Sequence, residues 1–252
     1  MKKVGKILAT CALVSSVTIS SLSLESKTFA AYDYGSVMFQ NSNANVNSSF
    51  NRTKAADYAK KYATYNTRNT YYANYGSNSD GGDCTNFASQ ILHDGGDLPF
   101  YGTKGKNANT VDWFYYGSDV TSPTNLNGRT SSWTGAHQYR TFWGDTDSGN
   151  GRHAYSMIKY SIQDAYDHFD ELNADLWPGD QVQFADSSAH TTHTVTVDSY
   201  GGGILYVSQH STNDNNYENW FSGKNLKEII KARKDTGTSA YVYTIKVKKS
   251  ST

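Results

Sequence analysis

The 252-residue sequence balances 23 basic against 23 acidic side chains, with only 18% of residues charged, 20 tyrosines, three prolines and two cysteines. That balance leaves no basic surface for nucleic acid or anionic membrane. The length suits one generous domain rather than two.

Lys2, Lys3 and Lys6 precede the apolar and small-residue run "ILATCALVSSVTISSL", and "KTFAAYDY" offers Ala30 and Ala31 for cleavage, so residues 1–30 are expected to be a secretory signal peptide. The run is short and serine-rich for a membrane span. "LATC" matches a lipoprotein box only loosely, because Thr10 is bulky and Cys11 comes early. Residues 1–30 hold four lysines and one glutamate, so the remainder carries 19 basic and 22 acidic side chains, a net charge of −3. It also holds a single thiol, Cys84, which cannot form an internal disulfide. The implied setting is secreted, extracellular or wall-associated, with no stable membrane insertion after cleavage.

Residues 31–50 are rich in Asn and Ser without a usable period and read as a loosely ordered N-terminal arm. The rest, 51–248, reads as the functional domain. In "NRTKAADYAKKYATYN", Asn51 is a helix cap, and Ala55, Ala56, Ala59, Tyr62 and Ala63 form a small-residue face able to pack closely on another element. After a polar loop, Cys84, Phe87, Ala88, Ile91 and Leu92 recur at helical spacing, with Asp83 as the expected N-cap and Gly95-Gly96 as the stop. Residues 153–173 also show helical spacing, through Tyr155, Ile158, Ile162, Ala165, Tyr166 and Phe169. A turn at Pro178-Gly179-Asp180 leads into the strand "QVQFA". "HTTHTVTVDSY", "GGG" and "ILYVSQH" then form a hairpin, and "AYVYTIKVKK" is a closing strand. Early helices and late strands predict an α+β fold, N-terminal helices packed on a C-terminal antiparallel sheet.

Cys84 has two readings. On an inner helix face a cysteine is a small hydrophobe. In the first turn of a helix, unpaired N–H groups and the positive end of the dipole stabilise a thiolate, and the same N–H groups can hold an oxyanion. The second reading needs a base. With the turn centred between Gly201 and Gly202, paired residues sum to about 403 and His193 faces His210, so one imidazole orients the other. A one-residue slip substitutes Gln209 or Ser211. His190 is the competing base, and an ordinary cross-strand polar pair is the competing explanation.

Read together, "NRTKAADYAKKYA", "GDCTNFASQILHDGG", "SSWTG", "GDQVQF", "HTVTV" and "VSQHS", in that order over residues 51–248, resemble the putative amidase domain family of bacterial extracellular proteins. That family is similar to the wider papain-like and NlpC/P60-type cysteine peptidase group, which implies a papain-like arrangement. The resemblance implies Cys84 as nucleophile and His193 as base. The third catalytic residue is expected to be His210, with Gln209 and Asn213 behind it. Asp83 and Trp133 are the candidate substrate contacts. Trp113 and Phe114 also belong to aromatic segments that line a groove or fill the core. The implied activity is hydrolysis of an amide, first of all in peptidoglycan stem peptides or cross-bridges, with no cofactor; transfer to an amine uses the same residues. The rival is a secreted wall- or surface-binding protein without catalysis.

Metal sites are weak. "DTDSGNG" at 145–151 opens like a calcium loop through Asp145 and Asp147, but Gly149 and Ser156 stand where ligands are needed. His190 and His193 lack partners for zinc.

Overall fold

A computed structural model describes residues 32–76, 82–103, 110–117, 128–144, 151–212 and 219–251. The expected signal peptide, Asp145 and Asp147 of the calcium-like loop, and Asn213 lie outside the described residues.

The fold is α+β, built on a seven-stranded antiparallel sheet in the order β1-β2-β7-β3-β4-β5-β6. The strands are β1 (Ser36–Gln40), β2 (Ser156–Ser161), β3 (Gln181–Ala185), β4 (Thr191–Gly201), β5 (Ile204–Gln209), β6 (Phe221–Asn225) and β7 (Tyr241–Lys246). The helices are α1 (Arg52–Tyr62), α2 (Cys84–Gln90, continued by a π-helical turn over Ile91–Gly95), α3 (Ser131–Thr134), α4 (Ala136–Trp143), α5 (Ile162–Asp167), α6 (Phe169–Asp175) and α7 (Leu226–Asp235). No helix among the described residues is long and apolar enough to cross a membrane.

Two expectations give way here. The segment expected to be an arm supplies β1, an edge strand paired with β2. The helix expected from 153 onward begins only at Ile162, since Ser156–Ser161 is a strand between β1 and β7. Met157 belongs to one buried cluster and Ile158 and Tyr160 to another. A strand covered on both faces loses its polar alternation, and a short apolar run then mimics helical spacing.

Alternation along the central strands sorts the interior into two clusters. One joins α1, α2 and α4 to Met157, Tyr243 and Ile245. The other joins α5, α6 and α7 to Ile158, Val182, Phe184, Val195, Val197, Val207 and Val242. The small face of α1 does what its alanines predict. A side chain at Gly95 would meet Tyr58 Cβ at 2.7 Å and Ala55 Cα at 3.1 Å, so α1 and the end of the cysteine helix touch almost backbone to backbone. Asn51 caps α1 by accepting from the Lys54 amide at 3.0 Å.

Arg52, the first residue of α1, ties distant parts of the chain. Its guanidinium donates to Asp180 Oδ1 (2.9 Å) and to the carbonyls of Pro178, Lys248 and Ser250, each at 2.8 Å. Asp180 is fully buried and also accepts from the backbone amides of Trp177 and Val247. Burial pushes the Asp180 carboxyl up from its ordinary range, and Arg52 pulls it back. Removing one partner strands a charge in the interior. Arg52→Met is therefore expected to cost about 3–5 kcal/mol in urea denaturation. Arg52→Met combined with Asp180→Leu should recover part of that loss.

Candidate active site

Cys84 opens α2, a helix buried on every side rather than on one face. The polar residues of α2 are spent inside the protein. Asn86 Oδ1 accepts from the Trp133 indole and Ser89 Oγ from the Trp113 indole, both at 3.0 Å, while Ser89 donates to the Trp133 carbonyl at 2.9 Å. The indole N–H groups of Trp113 and Trp133 are thereby satisfied within the core. Trp133, expected at the substrate, is thus a core residue with no exposed surface, packed on Trp113 with centroids 4.6 Å apart; Trp113 and Phe114 are equally buried.

Asp83 also differs from expectation. It makes no side-chain cap to α2. Its Oδ1 accepts from the Tyr75 amide (3.0 Å) and Asn86 Nδ2 (2.9 Å), and its Oδ2 meets His210 Nδ1 at 2.6 Å. Buried, with both oxygens hydrogen-bonded inside the protein, it is committed to the fold. His210 Nε2 lies 2.8 Å from the Tyr62 carbonyl, so both ring nitrogens face oxygen atoms. The ring is stacked between Phe87 (3.7 Å) and Trp220 (3.8 Å).

His210 consequently does not orient His193. The hairpin turn lies one residue later than expected, with Gly202 and Gly203 at positive φ and Gly201 paired with Ile204. Between Val197 and Ser199 the register shifts, from a residue sum of 405 near the turn to 404 toward the site. Continued to the end of the hairpin, that register puts His193 on the face of Val207 and Gln209 and turns His210 to the other. The bulge is held by Asp198, which accepts from Ser208 Oγ at 2.7 Å and the Gly223 amide at 2.8 Å.

Gln209, the slip alternative, is the residue that meets His193. Its Oε1 lies 2.7 Å from His193 Nε2, and its Nε2 donates to the Asn219 carbonyl at 2.8 Å. The second bond fixes which end of the amide faces the ring, so the imidazole donates from Nε2 and its Nδ1 is the basic nitrogen. Burial and the Arg233 charge push His193 down to about 3, against the bond to Gln209. His190, the competing base, is exposed and stacks on His137 at 4.4 Å.

The cysteine end of α2 meets β4 at Thr194, the residue next to His193. Thr85 Oγ1 lies 3.2 Å from Thr194 Oγ1 and 3.6 Å from Cys84 Sγ. The backbone amide of Thr194, next to His193, favours the thiolate. Burial outweighs this and pushes the Cys84 thiol up, so the resting sulfur is protonated. No hydrogen bond joins Cys84 to His193 in this resting arrangement. Desolvation thus opposes the thiolate stabilisation expected from the helix start. Among the described residues no group of three His, Cys, Asp or Glu side chains is placed to hold a metal.

One further side chain belongs to this neighbourhood and carried no signal among the basic residues of its helix. Arg233 sits in the last turn of α7, its guanidinium 4.3 Å from the centre of the Phe184 ring, and Phe184 is the β3 partner of His193.

The family model described as "Putative amidase domain" matches residues 49–233. No curated protein and no solved structure matches the sequence.

The neutral state of His193 gives a pH signature. Between its ordinary value of 6.5 and about 3, the unfolded chain binds a proton that the folded protein does not. Stability supported by His193 is complete above pH 6.5 and falls as the pH drops toward 3. Unfolding free energies from urea titrations between pH 7 and 4 should decline more steeply in the wild type than in His193→Gln, by up to about 1.4 kcal/mol per pH unit. Parallel profiles would contradict the buried neutral imidazole.

Proposed function

Since the chain belongs to the putative amidase domain family, we propose that it is a secreted cysteine amidase or peptidase of papain-like arrangement, with Cys84 as nucleophile, His193 as base and Gln209 as the residue that orients the base. The observation that carries the reading is the His193 Nε2 to Gln209 Oε1 bond. It leaves the basic Nδ1 free for the thiol proton, the tautomer a cysteine–histidine pair requires. His210 leaves the catalytic assignment and becomes a support of Asp83.

In this mechanism substrate binding closes the gap between thiol and imidazole. As Sγ bonds to the amide carbonyl carbon, its proton passes to His193 Nδ1 and the carbonyl oxygen takes the negative charge. No side chain caps α2, so backbone N–H groups of its first turn serve that oxyanion. Collapse breaks the C–N bond, and His193 returns the proton to the departing amine. Water, deprotonated by His193, then attacks the thioester, releasing a carboxylic acid and restoring the thiol. The neutral resting pair suits this sequence, since neither partner carries charge before substrate arrives.

Peptidoglycan stem peptides or cross-bridges are the proposed substrates, on the strength of the signal-like N-terminus and the family. A non-catalytic wall binder draws support from one observation, the buried protonated thiol without a bond to His193. Product analysis after incubation with purified peptidoglycan separates the two. Wild type should release new amines, whereas Cys84→Ala and His193→Ala should lose about 10⁴-fold or more in rate. Gln209→Ala should lose about 10²-fold, with the loss in kcat. His210→Ala should chiefly lower the denaturation midpoint. Undiminished release by Cys84→Ala would refute the assignment.

A further inference from the structure

Arg233 differs from the other deeply placed arginine whose contacts are fully described. Arg52 spends its guanidinium on four oxygen acceptors. Arg233 is half-buried, yet its guanidinium makes no hydrogen bond and no ion pair with any described residue. Its one contact of note is the face of Phe184. The nearest acidic residue along α7, Asp235, is already engaged by Lys231 at 2.5 Å and Lys234 at 3.2 Å. A flat guanidinium held over an aromatic ring keeps its edge and its paired N–H donors available.

Its location decides what the donors face. Phe184 and His193 are directly paired across β3 and β4, so their side chains share one face of the sheet, with ring centres 6.5 Å apart. Arg233 therefore stands beside the candidate base. Electrostatically it is also coupled to Cys84, whose negative form supports the guanidinium charge that burial opposes. A half-buried cation lacking an internal counter-charge is costly unless something supplies one. Structural pairing has been provided for Arg52, Lys246 and Lys54, each with its carboxylate.

We infer that Arg233 is a substrate-binding residue, and that the amide bond cut lies next to a free carboxylate which this guanidinium receives. The inference rests on the proposed catalytic role of Cys84 and His193, and adds to it a substrate class: acidic peptides with an unblocked carboxylate near the scissile bond. A single fork-shaped donor over an apolar ring fits a planar carboxylate, which it can grip with two parallel bonds. Substrate bound in this way brings its own negative charge into the field of Arg233. That weakens the cation's opposition to protonating His193, as proton transfer from the thiol requires.

The test separates binding from turnover by using the full chain with Cys84→Ala. The probes are a soluble stem peptide with free carboxylates and the same peptide with those carboxylates converted to amides, titrated by calorimetry. The free-carboxylate peptide should bind about 10- to 100-fold more tightly, the range for a hydrogen bond to a charged group. Adding Arg233→Gln should bring that ratio to about one, and Arg233→Lys, which keeps the charge but not the fork, should leave an intermediate ratio. Equal binding of the two peptides, no binding of either, or a ratio unchanged by Arg233→Gln would overturn the inference. Cleavage by the wild type is read separately. Cleavage without a carboxylate preference sinks the Arg233 assignment alone, whereas a preference that depends on Arg233 in a protein that cleaves nothing sinks the catalytic reading and leaves the anion site standing.

Discussion

The Asp83 carboxylate, buried beside the start of α2, accepts from the Tyr75 amide, the Asn86 side chain and the His210 ring at once. Each bond anchors a different part of the chain: the loop before the helix, the helix itself, and the end of β5. His210 passes the constraint on, through Nε2 to the carbonyl of Tyr62 at the end of α1. The residue next to this hub is Cys84. Its position is therefore set by a buried hydrogen-bond network rather than by a helix cap, and such a network holds one geometry where an exposed cap would fray.

The same burial that gives this precision keeps the candidate reactive groups uncharged. Desolvation raises the Cys84 thiol and lowers His193. A dry site of this kind strengthens every dipole within it, so the Gln209 amide, clamped by the Asn219 carbonyl, governs the imidazole tautomer firmly. Arg233 is the exception in this neutral setting, a cation that meets no carboxylate among the described residues and stands beside the sheet face that carries His193.

Two buried cations elsewhere are each paired with a carboxylate. Lys246 of β7 meets Asp175 at 2.8 Å, and Arg52 meets Asp180 at 2.9 Å. Both pairs lie between elements far apart in sequence and fasten the chain end to the helices and turns it crosses. Polar residues that the sheet turns inward bond to one another: Gln183 Nε2 donates to Thr194 Oγ1 at 2.9 Å, and Thr196 Oγ1 donates to Gln181 Oε1 at 2.7 Å.

Local signals in the sequence were sufficient for the α+β class, for the Asn51 cap, for the glycine hairpin of β4 and β5, and for placing Cys84 in a first helical turn. Each depends on neighbours within a few residues, where capping, turn chemistry and periodicity act. They failed for β2, because a strand covered on both faces shows no alternation, and for Asp83 and Trp133, whose partners are brought in by folding. Gln209 in place of His210 was decided by a single bulge at Asp198, stabilised by Ser208 and by Gly223 of the next strand. A one-residue register change exchanges the faces of a strand, and the carboxylate that fixes it is satisfied only across strands. The sequence by itself determined which residue types were available for the chemistry. Tertiary structure alone decided which of them meet, because register, burial and the pairing of charges are properties of contacts between distant segments.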